Sequence, residues 1–262
     1  MGLLCGGEMK GQSRLELERQ YHESEDQARQ ESRLIRGVYG SGVFQEALAY
    51  HRGALGDVRG LRVLDYGCGG GYDAARLRAR GARVTGFDIS QTRLAEAQRH
   101  LAKQEAGPPV TLAQWAAGRL PFADASFDAI FGKWILHHLD LDQDGPEIVR
   151  VLKPGGRAAF IEPLNHNPIL RTYRRLTPHL RSPDEQPLCI EDLQTVGSHF
   201  RTWKHKEFVL FSALPALAAV LARKKAPSPR LQAWLQRVDR ALLDAVPFLG
   251  RYCWEAVLVV ER

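Results

Sequence analysis

Residues 63–71, Val-Leu-Asp-Tyr-Gly-Cys-Gly-Gly-Gly, run an apolar strand into a glycine-rich turn, and the chain continues as the helical stretch YDAARLRAR. Glycine at positions 67, 69 and 71 permits positive φ and lets the backbone come close to a ligand. The next apolar run, ARVTGFDI, ends on an acidic residue, Asp88, about 20 residues further on. A carboxylate at the tip of a second strand can accept both ribose hydroxyls of a nucleoside. A glycine turn alone is a common way to join strand to helix; together with Asp88 it points to nucleoside binding.

Outward from this junction, the strands LRVLDYG, ARVTGFDI, VTLAQW, FDAIFGKW and RAAFIEP alternate with amphipathic helical stretches. That alternation predicts βα units on a parallel sheet, an α/β fold. Gly81 suits the end of the first helix and Ser90 the start of the second, QTRLAEAQRHLAK. The third, PEIVRVLK, is expected to carry Pro146 in its first turn and to end at Gly155-Gly156. Residues 163–188, rich in Pro and Arg, read as an acceptor loop with one short helix, and IEDLQTVGSHF returns to helix. TWKHKEFVLFSA reads as strand 6, followed by helical stretches at about 213–225 and 229–245 and a last strand, RYCWEAVLVVE. Residues 1–50 are polar and helix-forming, an N-terminal helical lid segment ahead of a domain over 51–262, with 213–245 as a helical cap insertion.

Composition narrows the function classes. The 262 residues are 44% hydrophobic and 25% charged, which excludes disordered and collagen-like chains. The net charge of +6 is spread along the chain, with one cluster at Arg171, Arg174, Arg175 and Arg181 that could hold a carboxylate or phosphate. Four cysteines show neither a C-x-x-C pair nor zinc spacing, so no metal and no disulfide is expected, and the reading is a cytoplasmic, reducing compartment. The apolar run from Phe208 to Ala222 is interrupted by Pro215 and falls short of the ~20 residues that span a bilayer. Stable membrane insertion is therefore not expected; a peripheral contact near Lys224 and Lys225 stays open, as does the oligomeric state.

Four blocks, VLDYGCGGGYDAARL, VTGFDIS, LPFADASFDAIFGKWILHHL and RVLKPGGRAAFIEP, carry a resemblance to class I S-adenosylmethionine-dependent methyltransferases, in the branch of the ubiquinone and menaquinone methyltransferases. The resemblance implies a Rossmann-like sheet of order 3-2-1-4-5-7-6 with an antiparallel last strand, and S-adenosylmethionine as cofactor. It implies that Gly67, Gly69 and Gly71 form the turn beside the methionine part, that Asp65 faces the cofactor's amino group, that Asp88 takes the ribose and that Ile89 packs on the adenine. Cys68 and Lys133 are counted with this lining. Where the family often has an acid for the adenine amino group this chain has Ala116, preceded by Trp115, so backbone, Gln114 or stacking must hold the base. Tyr21 and His22 are candidates for a lid over the cofactor.

Methyl transfer needs alignment of nucleophile and methyl, and a general base when the acceptor is a hydroxyl or an acidic carbon. His138 after strand 4, His166 in EPLNHNP and Glu162 at the end of strand 5 are the candidate catalytic groups; His137 reads as structural. The N/D-P-P-Y/F motif of base amino methylation is absent, KWILHH standing in its place, which argues against a nucleic-acid partner. The expected reaction is O-methylation of a small, partly apolar acceptor. C-methylation of a quinone or isoprenoid-type acceptor and a catalytically weak binding protein are the alternatives.

Overall fold

The computed structural model describes residues 42–104, 107–176, 187–223 and 228–262. Apolar side chains on both faces of its central strands account for a parallel core: β1 (Arg62–Tyr66), β4 (Phe127–Lys133) and β5 (Leu152–Pro163) are buried over most of their length and β2 (Arg83–Asp88) over half of its own. With β3 (Thr111–Gln114), β6 (Thr202–Phe208) and β7 (Glu255–Glu261) they form one sheet of order β3-β2-β1-β4-β5-β7-β6. β7 is antiparallel to both of its neighbours. The order and the reversed last strand are those the resemblance implied.

Helices α2 (Tyr72–Ala79), α3 (Gln91–Ala102) and α4 (Leu141–Val151) make the crossovers. Ser90 caps α3 as expected, its hydroxyl accepting from the Arg93 N–H at 3.2 Å. α4 differs from expectation. It starts at Leu141, where Asp140 accepts from Gln143 N–H at 3.3 Å, so Pro146 lies inside the helix rather than in its first turn. The chain leaves α4 at Leu152 and enters β5 directly, earlier than the Gly155-Gly156 stop. Those glycines instead pair with the chain's end, Gly155 N–H to Arg262 O at 2.9 Å and Arg262 N–H to Gly156 O at 3.0 Å.

Two strands are shorter than the apolar runs predict. β6 ends at Phe208 because the buried Asp239 carboxylate captures the N–H groups of Leu210, Phe211 and Ser212 at 2.9, 2.9 and 3.1 Å. β7 begins at Glu255 because residues Pro247–Tyr252 form a 3₁₀ helix. Between β5 and β6 lie α5 (Pro168–Leu176) and α6 (Ile190–Ser198), and between β6 and β7 lie α7 (Leu214–Leu221) and α8 (Pro229–Ala245).

α1 (Gln45–Gly53) runs across position 50 and, with Phe44 just before it, packs Ala47 against Ile161 and Val257 of the sheet and Trp254 just before β7. Its buried His51 stacks on Phe131 at 4.0 Å and shares a 3.1 Å hydrogen bond with Ala159 O. Burial pulls the His51 pKa down to about 4, so the ring is neutral and Nε2–H donates. Residues 1–41, with Tyr21 and His22, lie outside the described residues.

Glycine at position 132 is required by packing. A Cβ there would sit 2.4 Å from the Phe160 ring, itself fully buried, and 3.0 Å from Ile135. Gly132→Ala is expected to lower the urea midpoint, by about 1–3 kcal/mol of stability. Gly53→Ala, on an exposed helix position with nothing within 4 Å, leaves stability equal or raises it by about 0.4–1 kcal/mol.

Candidate functional site

The C-terminal ends of β1, β2, β4 and β5 open on one edge of the sheet, where ligands collect in open α/β folds. At that edge Gly67, Gly69 and Gly71 take φ of +71°, +49° and +75°. A Cβ on Gly67 would meet Ile135 at 2.8 Å and one on Gly71 would meet Ala97 at 2.9 Å, whereas Gly69 faces open space. The first and third glycines are thus demanded by the protein's own packing, and the second leaves room above the turn.

β2 holds the turn in place. Cys68 N–H donates to Phe87 O at 2.9 Å, and Gly69 N–H donates to Asp88 Oδ2 at 2.8 Å. Asp88 Oδ1 accepts from Ser90 N–H at 2.9 Å. A carboxylate has about four acceptor directions, so Asp88 retains capacity for hydroxyl donors while bracing two loops. Cys68 packs beneath the turn against Gly86, and burial, with Asp65 and Asp88 nearby, pushes its thiol far above the ordinary range. It is a packing residue and not a nucleophile.

Asp65 lies at the base of the turn, buried, with Oδ2 lacking a hydrogen-bond partner among the described residues. Burial pushes its pKa up to about 8, the neighbouring Asp73 and Asp88 add to the rise, and Lys133 opposes it. A buried acceptor of this kind is under-satisfied until a donor arrives, and an ammonium group suits it. Lys133 pairs with Asp73 at 2.7 Å and lies 5.2 Å from the Trp134 ring. Burial raises the Asp73 carboxyl, but Lys133 and Arg76 outweigh it and hold the group below its ordinary value.

On the β2–β3 side, Gln114 braces the following turn by donating to Ile89 O at 3.1 Å. Trp115 is exposed, and its indole donates to Arg119 O at 3.0 Å; Ala116 is half-buried beside it.

On the β4–β5 side, Glu162 is fully buried and its carboxylate is already occupied. Oε1 accepts from Ile135 and Leu136 N–H, both at 2.8 Å, and Oε2 lies 2.6 Å from His137 Nδ1. Fully buried, the carboxylate that the sequence offers as a catalytic group frames the loop after β4. His137, also buried, packs against His138 with the rings tilted by 40° and their centroids 4.1 Å apart. His138 is half-buried at the end of this turn.

His166 is half-buried in the loop after β5, with Nδ1 lacking a partner among the described residues. The next residue, Asn167, caps α5 by accepting from Ile169 and Leu170 N–H and donates to Tyr252 O at 2.9 Å, fastening this loop to the segment before β7. Arg171 and Arg175 are exposed on α5, and Arg181 lies outside the described residues.

The sequence reading passed over Asp73 and Trp134. Trp134 adopts φ +55°, uncommon for a non-glycine residue, with its indole donating to the buried Glu255 at 3.2 Å. Strained backbone of this kind collects at functional sites, and no local sequence signal announces it. Among the described residues no group of three or more His, Cys, Asp or Glu could hold a metal ion, and no helix is long and apolar enough to cross a membrane.

Residues 64–160 match the family described as "Methyltransferase domain". The chain is 40% identical over 105 residues to "Methyltransferase GfsG" of Streptomyces halstedii, covering 39% of this chain and 38% of that protein. It is 37% identical over 123 residues to the ubiquinone biosynthesis O-methyltransferase of Alkalilimnicola ehrlichii, covering 46% and 49%. The chain thus spans about half the length, or less, of these curated relatives. In structure it resembles the magnesium protoporphyrin IX methyltransferase of Synechocystis, with a TM-score of 0.62 and 15% identity over 94% of this chain and 99% of that one. It also resembles the geranyl diphosphate C-methyltransferase of Streptomyces coelicolor, with a TM-score of 0.60 and 17% identity over 83% and 77%. The match over residues 64–160 takes in the glycine turn, Asp88 and strands β2, β3 and β4, and it is this part of the chain that is similar to the methyltransferase-domain family.

Proposed function

We propose that the protein transfers a methyl group from S-adenosylmethionine to a small, partly apolar acceptor, with oxygen as the atom methylated. The observation that carries this reading is the pairing of an open glycine turn with two acidic groups, Asp88 at its rim and the under-satisfied Asp65 at its base. In this reading Asp65 receives the cofactor's ammonium, the backbone of residues 67–71 follows its methionine part, and Asp88 accepts from the ribose. Ile89, Trp115 and Ala116 flank the base, and Lys133 holds Asp73 and the start of α2 in place. The cofactor, when bound, supplies a methyl group activated on a sulfonium. The chain's task is to orient the acceptor and remove its proton.

His138 and His166 are the groups proposed for the proton, being half-buried imidazoles on the acceptor side. Glu162 and His137 would position His138 by fixing the loop that carries it. The choice of oxygen follows the named relative that methylates oxygen, while the geranyl diphosphate enzyme shows the same fold serving a C-methyltransferase. Among the described residues the cysteines, Cys68, Cys189 and Cys253, are free, which fits a reducing compartment such as the cytoplasm.

The test is thermal stability with S-adenosylhomocysteine. At 100 times its Kd it is expected to stabilise by about 2.7 kcal/mol, with no shift from NADH. Asp88→Ala should abolish the shift, since it removes the ribose acceptor and unties Gly69 from Ser90 together. A shift from NADH alone overturns the reading. Labelled methyl transfer to a panel of phenolic and isoprenoid acceptors then decides the atom; binding with no turnover on any of them points to a binding protein.

A further inference from the structure

The insertion between β6 and β7 leaves large apolar side chains in water: Phe211 is 48% exposed, Leu214 40%, Leu231 43% and Trp234 57%. Hydrogen bonds hold them on one body. Asp239 of α8 binds the backbone of residues 210–212, and Gln232 donates to Ser212 O at 3.2 Å, which brings the turn carrying Phe211 beside the helix end carrying Leu231. Gln232, Gln236 and Asp239 define the inward face of α8. The opposite face carries Arg230, Trp234 and Arg237, exposed at i, i+4 and i+7, with Arg223 exposed just beyond α7.

Exposed leucine and tryptophan among arginines describe a surface that lies on a bilayer rather than through it. The charge selects the occupant, because three exposed arginines complement an anionic interface. The register selects the place. Phe208 pairs with Glu255, and Glu255 with Pro163, so the β6 exit leaves from the same sheet edge as the end of β5, on the acceptor side.

We propose that the β6–β7 insertion docks on an anionic lipid bilayer, with Phe211, Leu214, Leu231 and Trp234 entering the headgroup region and Arg223, Arg230 and Arg237 facing the lipid phosphates. The docked protein presents its acceptor side to the bilayer surface, where an apolar acceptor would be dissolved. The surface does not depend on the reading of the glycine turn and is tested apart from it.

The test is co-sedimentation of the full chain with vesicles of phosphatidylcholine, alone or mixed with phosphatidylglycerol. The intact protein is expected to sediment with the mixed vesicles and not the neutral ones, to be released by salt, and to show a blue-shifted tryptophan emission when bound. Each arginine removed should weaken partitioning about fivefold, so Arg230→Glu/Arg237→Glu falls by more than tenfold. Leu231→Ser/Trp234→Ser should lose both sedimentation and the emission shift. All four positions are exposed, and an unchanged thermal midpoint in each variant shows that folding is intact. Absence of binding to the mixed vesicles overturns the proposal, as does binding unchanged in both double variants. A self-association lost in Leu231→Ser/Trp234→Ser, without vesicle binding, makes a second copy the occupant and also overturns it.

Discussion

Glu162→Ala is expected to destabilise the protein by about 3–5 kcal/mol, a fall in Tm of roughly 6–20 °C for a chain of this size. The carboxylate is fully buried and receives two backbone N–H groups and an imidazole. Removing it leaves Ile135 and Leu136 N–H and His137 without their acceptor in a site too enclosed for bulk water to replace it. Glu162→Gln keeps an acceptor for the backbone pair and should lose less than the alanine variant. Urea unfolding of the two variants side by side measures the difference. If alanine and glutamine variants are equally stable, and both close to the parent, the carboxylate does not hold this loop.

Asp65→Asn is expected to do the reverse and stabilise the ligand-free protein at alkaline pH. An unfolded aspartate ionises near pH 4, while the folded Asp65 keeps its proton until about pH 8. Below pH 4 both states are protonated and the group contributes no penalty. From pH 4 to 8 the unfolded chain gives up its proton and the folded one does not, so stability falls by about 1.4 kcal/mol per pH unit from this group. Above pH 8 the penalty is complete. Asparagine does not titrate, so parent and variant should be alike near pH 4 and diverge up to pH 8, the variant becoming the more stable. Binding of an ammonium-bearing ligand requires the ionised carboxylate, so affinity for S-adenosylhomocysteine should climb with pH towards 8 in the parent and stay flat in Asp65→Asn. Thermal midpoints and titration calorimetry from pH 4.5 to 8.5 read both effects. Parallel stability profiles for parent and variant would show that Asp65 is ionised throughout.

What could be read from the sequence was what rests on short-range pattern. Residues 63–71 and Asp88 are decided by local periodicity, glycine placement and a single spacing, and the sheet order followed from the resemblance that the four blocks carry. What escaped depends on partners far along the chain. The end of β6 is set by Asp239, 27 to 29 residues later, against a run of apolar residues that reads as continuing strand. Glu162 reads as a rim carboxylate until residues 135–137 fold over it. The positive φ of Trp134 has no glycine or asparagine to advertise it, and the proton on Asp65 comes from burial rather than from any neighbour in sequence. Pro146 suggested a helix start by residue type, yet Asp140 supplied a better cap one and a half turns earlier.

The position of α1 has a consequence for synthesis. Phe44 meets Trp254, Gln236 donates to Val43 O at 2.9 Å, and Arg240 pairs with Glu46 at 3.1 Å. The helix that leaves the ribosome first among these elements can meet Phe131 and Ile161 once β4 and β5 exist, but its site is complete only when Trp254 and Val257 have been made, about 200 residues and roughly 10–40 s later. Until then part of its apolar face, Phe44 above all, must stay in water or borrow another surface. A nascent chain halted before residue 254 should therefore protect α1 from protease less well than one that extends past Glu261.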